Sequence, residues 1–155
     1  MEASLDNEGE VIFSEQTHWP FWLWTFLLFL AASLAFAFWA AIGLYAAIGI
    51  AIAQVALLLI ADYVSTLNIR VTKEWLFVGK AKIERKFIAE VAALNSEQTR
   101  VARGPELDPA AFLALRFWIT TGVKITIQDD RDPTPYWLVS SKNSEEITRS
   151  LYKPL

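Results

Sequence analysis

WPFWLWTFLLFLAASLAFAF, residues 19–38, opens a stretch of 43 residues, 19–61, that contains no Asp, Glu, Lys or Arg. All 31 such side chains of the 155-residue chain lie outside it. A charge in the hydrocarbon core of a bilayer costs on the order of 2.5–3.5 kcal/mol on insertion scales, so the interval carries the mark of a membrane segment. A core helix of a water-soluble protein would show a polar face, and none is present. Roughly 20 helical residues cross a hydrocarbon layer of about 30 Å, so the interval suits two spans joined by a very short turn. The second span is IGIAIAQVALLLIADYV, residues 48–64, and the reversal falls near residues 39–46, where Gly43 can supply a left-handed turn. Trp19, Trp22 and Trp24 at one end, Trp39 and Tyr45 around the turn and Tyr63 at the exit take the interfacial places that aromatic side chains favour.

The flanks set the orientation. Arg70, Lys73, Lys80, Lys82, Arg85 and Lys86 follow the second span closely, whereas the turn has no basic residue. The positive-inside rule therefore predicts a cytoplasmic C-terminal part and, with two spans, a cytoplasmic N-terminus in the inner (plasma) membrane. The 18 residues before the first span carry five acidic and no basic side chains, which disfavours a cleaved signal peptide. Their −5 exceeds the net charge of −3 of the whole chain, leaving 14 basic against 12 acidic side chains in residues 62–155. So even a balance speaks against a nucleic-acid reader. The early basic cluster can meet anionic headgroups, although a solvated strand face explains it with less. Small residues recur at Ser33, Ala37 and Ala41 and at Gly43, Ala47 and Ala51, a weak pattern in so alanine-rich a segment. Gln54 is the one strongly polar side chain inside the second span and can hydrogen-bond a partner helix or another subunit; a pore or transporter would need ionisable groups that the spans lack.

Beyond residue 65 the periodicity changes. In TLNIRVT, residues 66–72, Leu67, Ile69 and Val71 alternate with polar side chains, which predicts a strand; WLFVG and AKIERKF continue as one or two more. VKITIQ and YWLVS, separated by DDRDPTP, predict a hairpin, because Asp and Pro favour reversals and Pro is hard to place within a sheet. Asn143 with Glu146 fits a helix N-terminus, and Ile147, Leu151 and Tyr152 its apolar side, with Pro154 as the stop. The fold class expected is an α+β membrane protein: an acidic tail at residues 1–18, a transmembrane helical hairpin at 19–65, and an antiparallel β-rich domain at 66–155 that ends in a helix.

VTKEWLFVGKAKIERKFIAEVAAL, residues 71–94, with the closing strand and helix of YWLVSSKNSEEITRSL, resembles bacterial pleckstrin-homology-like domains. GPELDPAAF, then RFW, then DPTPYWLVSS behind a hydrophobic hairpin is similar to an actinobacterial family of small two-helix membrane proteins known only as a domain of unknown function. The first resemblance implies architecture, and the second brings no activity.

Chemistry-bearing residues are few. His18 is the single histidine and sits at the membrane boundary without an evident nucleophile or second ligand, so no catalytic role is assigned to it. There is no cysteine and no phosphate-cradling glycine loop, and the aspartates at 129, 130 and 132 lack the spacing of a calcium loop. No enzyme, cofactor or metal is expected. The candidate interaction residues are Arg103, Glu106, Asp108, Arg116, Trp118, Tyr136 and Trp137. Arg103 can pair with a carboxylate to order the segment that Pro105 and Pro109 stiffen, and this structural reading is preferred. Trp118, Tyr136 and Trp137 fall in strand-like segments; Tyr136 and Trp137, being adjacent, must face opposite sides, so one meets a second layer, the membrane, the 103–116 segment or a partner. The function expected is a membrane-proximal binding or scaffolding module whose partners are the lipid bilayer and a membrane or cytoplasmic protein. The alternatives are a structural subunit of a larger membrane complex, or an enzyme using Glu106 and Asp108 as acid and base with Arg103 or Arg116 holding an anionic lipid-like substrate.

Overall fold

The structure, a computed structural model, describes residues 10–129 and 131–152. Two helices of 22 residues each, α1 (Phe21–Ile42) and α2 (Leu44–Ser65), are joined by Gly43 alone. Each is about 33 Å long, and both are long and apolar enough to cross a membrane. Gly43 has φ 116°, a conformation that a side chain would oppose, and its N–H donates to the carbonyls of Phe38 and Trp39. The open ends of the hairpin are clasped by polar groups. The Trp19 N–H donates to Asp62 Oδ1 at 3.0 Å, its ring N–H to Ser65 Oγ at 2.6 Å, and His18 Nδ1 lies 3.2 Å from the Thr66 hydroxyl and 3.6 Å from Asp62.

A second compact unit is built from residues on both sides of this hairpin. Strand β1 (Val11–Thr17) pairs antiparallel with β2 (Leu67–Thr72), Thr17 opposite Leu67. Residues 11–17 are therefore a sheet strand and not part of a separate tail, which corrects the expected division at residues 18 and 66; residues 1–9 of that tail lie outside the described residues. The reason is the inward face of β1, where Phe13 joins the core but its neighbours Glu15 and Thr17 are polar, so alternation of hydrophobicity does not reveal the strand. Strands β3 (Trp75–Val78) and β4 (Ala81–Glu84) complete a sheet in the order β1-β2-β3-β4. Gly79 turns between them at φ 60°, its N–H on the Asn68 carbonyl.

The second sheet holds β5 (Ile88–Leu94), β6 (Phe112–Ala114), β7 (Gly122–Ile127) and β8 (Tyr136–Ser140) in the order β5-β7-β8-β6. β5, β7 and β8 are antiparallel, in keeping with the antiparallel β-rich expectation, while β6 runs parallel to β8. The crossover that a parallel pair requires is supplied by residues 115–121, β7 and the turn before β8. At Gly122 a Cβ would stand 2.7 Å from the Val139 carbonyl oxygen, so glycine lets β7 approach β8 closely. Helix α3 (Ser96–Ala102) starts on a capping box between Asn95 and Gln98, and helix α4 (Ser144–Tyr152) closes the chain. One core joins Ile69, Val71, Leu76 and Val78 of the first sheet with Val123, Ile125, Trp137 and Val139 of the second and Ile147 of α4.

The unit has two distinct ends. At one lie Thr17, Leu67 and the Gly79 turn; there too are Glu15, which accepts from the Ser141 hydroxyl at 2.6 Å and the Lys142 N–H at 2.9 Å, and so the β8–α4 connection. At the other lie Trp75 opposite Glu84, the turn after β7, and the end of α4, where the Arg85 guanidinium donates to the carbonyls of Thr72, Lys73, Ser150 and Leu151.

Candidate functional site

Residues 103–111 run across the outer side of the second sheet, held by their own backbone and by one tyrosine. Arg103 ends α3, with its N–H on the Thr99 carbonyl, and its side chain is exposed. The Asp108 N–H donates to the Tyr136 hydroxyl at 2.9 Å, and that hydroxyl donates in turn to the Glu106 carbonyl at 3.4 Å. Asp108 Oδ1 accepts from the Ala110 N–H at 2.8 Å, a local Asx turn. The Glu106 and Asp108 side chains are exposed. An acid/base pair needs carboxyls converging on a concave, water-poor volume, so this placement lends the lipid-enzyme alternative no geometry.

Tyr136 and Trp137 do face opposite ways, as adjacent strand residues must. Tyr136, 7 % exposed, packs with Ala102 and Leu138 beneath the 103–111 segment, with Leu94, Ala111 and Leu115 at the edge. Trp137, 5 % exposed, enters the main core and meets the Phe112 ring in a tilted contact at 4.8 Å, so little of it is left at the surface. Arg116 and Trp118 stand elsewhere. The Arg116 N–H donates to Ser140 Oγ at 2.9 Å and its guanidinium to the Leu115 carbonyl at 2.9 Å, and burial draws its pKa below the ordinary value. Trp118 lies in a turn rather than a strand, in edge contact with Phe117 at 4.8 Å, because the chain reverses there between β6 and β7. The seven candidates thus separate into Glu106, Asp108 and Tyr136 in one loop contact, exposed Arg103 at its start, Arg116 and Trp118 in a second turn, and Trp137 in the core.

A shallow cleft of about 160 Å³ at the other end was not foreseen from the sequence: Trp75, Ile83, Phe87 and Trp137 line it together with Lys82, Glu84, Asp129 and Asp132. Lys82 Nζ lies 4.8 Å over the Trp75 ring, and Lys86 and Arg131 lie over Phe87, so the chain's own cations cover these aromatic faces. Its residues come from three separate segments, which no local spacing connects. Most of the basic cluster is likewise spent internally: Lys73 pairs with Glu10 at 2.8 Å, Lys86 with Glu84, and Arg70 lies over Phe77. Lys80 is exposed in the β3–β4 turn. In the helical hairpin, Gln54 lines a groove of about 190 Å³ with Leu27, Leu30, Leu34 and Leu57, and its carbonyl oxygen has no hydrogen-bond partner among the described residues.

Fold and surface together define an α+β protein in which a helical hairpin of membrane-spanning length interrupts a two-sheet unit between neighbouring strands. The chain belongs to the family described as protein of unknown function (DUF3093), whose model matches residues 12–151. No curated protein and no solved structure matches it.

Proposed function

We propose that this is a two-span inner-membrane protein whose β unit lies in the cytoplasm as a membrane-proximal binding or scaffolding module. The observation that carries the reading is the place of the hairpin: it leaves after Thr17 and returns at Leu67, two residues that are cross-strand partners in one sheet. Three residues lead into α1 and one leads out of α2, so the connections are too short to let the unit wander from the bilayer surface. The basic residues that follow α2 support the cytoplasmic side for this unit. The pleckstrin-homology-like resemblance supports a binding module, since two stacked sheets with a closing helix fit it; the parallel β6–β8 pair is a departure. The exposed Arg103, Glu106 and Asp108 loop and the exposed residues 131–133 before β8 are the proposed protein-contact regions; β8 itself is buried.

The chain has no cysteine, so single cysteines report topology directly. An impermeant maleimide on intact cells should label Ala46→Cys, and Glu74→Cys only after permeabilisation; the reverse pattern overturns the orientation. For the module itself, Arg103→Ala should weaken capture of a crosslinked partner without lowering thermal stability. If no reproducible partner is captured and the substitution alters only folding, the module reading is lost. A second reading, a structural subunit of a larger membrane complex, draws on the unpartnered Gln54 carbonyl. In that case Gln54→Leu should release the neighbouring chain.

A further inference from the structure

We propose that the turn at Arg116–Ile119 is a second membrane contact, in which Phe117 enters the headgroup region of the same leaflet from which the helical hairpin emerges; this rests on the membrane reading above. Phe117 is 67 % exposed, more than any other large hydrophobic side chain among the described residues of the β unit. A lone exposed aromatic is ordinary on a soluble surface, so its position must carry the inference. The turn is fixed to the end of the second sheet by the Arg116 N–H on Ser140 Oγ and closed by the Ile119 N–H on the Arg116 carbonyl at 3.0 Å. Ser140 is followed by Ser141 and Lys142, and both of these bond to the buried Glu15 carboxylate. Glu15 is two residues, about 7 Å of strand, from Thr17, where the chain leaves for α1. Three residues, at most about 11 Å of chain, then reach the start of that helix.

The aromatic turn is thus tied, through consecutive hydrogen bonds, to the end of the β unit that the membrane hairpin enters and leaves. The side chains exposed at that end suit the headgroup layer. Phe117 sits against Trp118 in an edge contact, Lys80 stands in the β3–β4 turn beside Asn68, and Lys142 follows β8, so apolar tip and cations are offered together. Glu74 and the aromatic cleft belong to the opposite end and take no part.

The test uses the full chain in liposomes containing phosphatidylglycerol, with a fluorophore on a single introduced cysteine at Phe117, Glu74 or Phe29, the last midway along α1. With the contact made, the probe at 117 is quenched by a spin label near the headgroup, and is about threefold less accessible to aqueous iodide than the probe at 74. The probe at 29 is quenched by a label deep in the acyl chains. Quenching at 29 with 117 as exposed to iodide as 74 overturns the contact and leaves the spanning hairpin standing. Equal protection at 117 and 74 also overturns it, since the unit would then lie broadly on the surface. An unquenched probe at 29 overturns the membrane reading and the contact with it.

Discussion

Glu15 shows how much one side chain can decide in a small unit. The residue is 7 % exposed, and its carboxyl accepts from both the Ser141 hydroxyl and the Lys142 backbone N–H. A carboxyl acceptor in a buried place is tolerated when such donors surround it, and the bonds join β1 to the β8–α4 connection, segments far apart in sequence. Glu15→Ala should therefore cost about 2–3 kcal/mol in denaturant unfolding of the detergent-solubilised protein, because it strands both donors. Glu15→Gln, which keeps an acceptor, should cost less; equal losses would mean that packing and not the bonds carries the effect. Tyr136 is the counterpart on the outer side of the second sheet. Tyr136→Phe keeps the ring packed but removes the acceptor of the Asp108 N–H, so a loss of about 1 kcal/mol is expected. Amide hydrogen exchange at Asp108 should quicken, and unchanged exchange there would show that the loop is held by its own turns.

Elements differ in how far the sequence reveals them. The two long apolar helices, the strand alternation of TLNIRVT and VKITIQ, and the terminal helix are legible because a single repeating pattern, all apolar, period two or one apolar stripe, decides each. β1 is not legible, because Glu15 and Thr17 occupy inward positions and are stabilised or buried by residues 50 or more positions away. The Asn95–Gln98 cap had a readable spacing, N-x-x-Q, whereas the parallel pairing of β6 with β8 depends on tertiary placement of a three-residue strand. For the candidate site, the opposite facing of Tyr136 and Trp137 followed from strand geometry, but only the fold shows which one the 103–111 segment covers. The turn after β7 was legible and makes a prediction of its own. Asp129 accepts from the Arg131 N–H at 3.0 Å and from its guanidinium at 3.1 Å, and this side-chain bond chiefly holds the carboxyl below its ordinary 3.8. A depressed carboxylate pKa means that the contact is complete above about pH 4 and is lost as pH falls through the lowered folded value. The Asp129 carboxyl carbon resonance should titrate with a midpoint below 3.8, and Arg131→Ala should raise that midpoint; a midpoint indifferent to the substitution would remove Arg131 as the cause.

On the scale of the whole molecule, the hairpin is an insertion and the β unit is the continuous body around it. Thr17 and Leu67 face each other across an antiparallel pair, so their Cα atoms are only about 5 Å apart, a gap that a two-residue Asn-Gly turn spans in a register compatible with strand twist. The core residues of this body come from the two sheets and α4. Replacing residues 18–66 by Asn-Gly should therefore yield a soluble, cooperatively unfolding protein that retains its β-sheet circular dichroism. Removing residues 1–66 instead should not, although it deletes the same hairpin. That cut also takes away β1, opens the edge of β2, exposes Ile69 and Val71 from that side, and leaves Ser141 and Lys142 without the Glu15 carboxylate. The two deletions separate two views of the chain. If both fold equally, residues 11–17 are dispensable and the unit starts after the hairpin; if only the turn-bridged form folds, the helical hairpin interrupts a domain that begins before it.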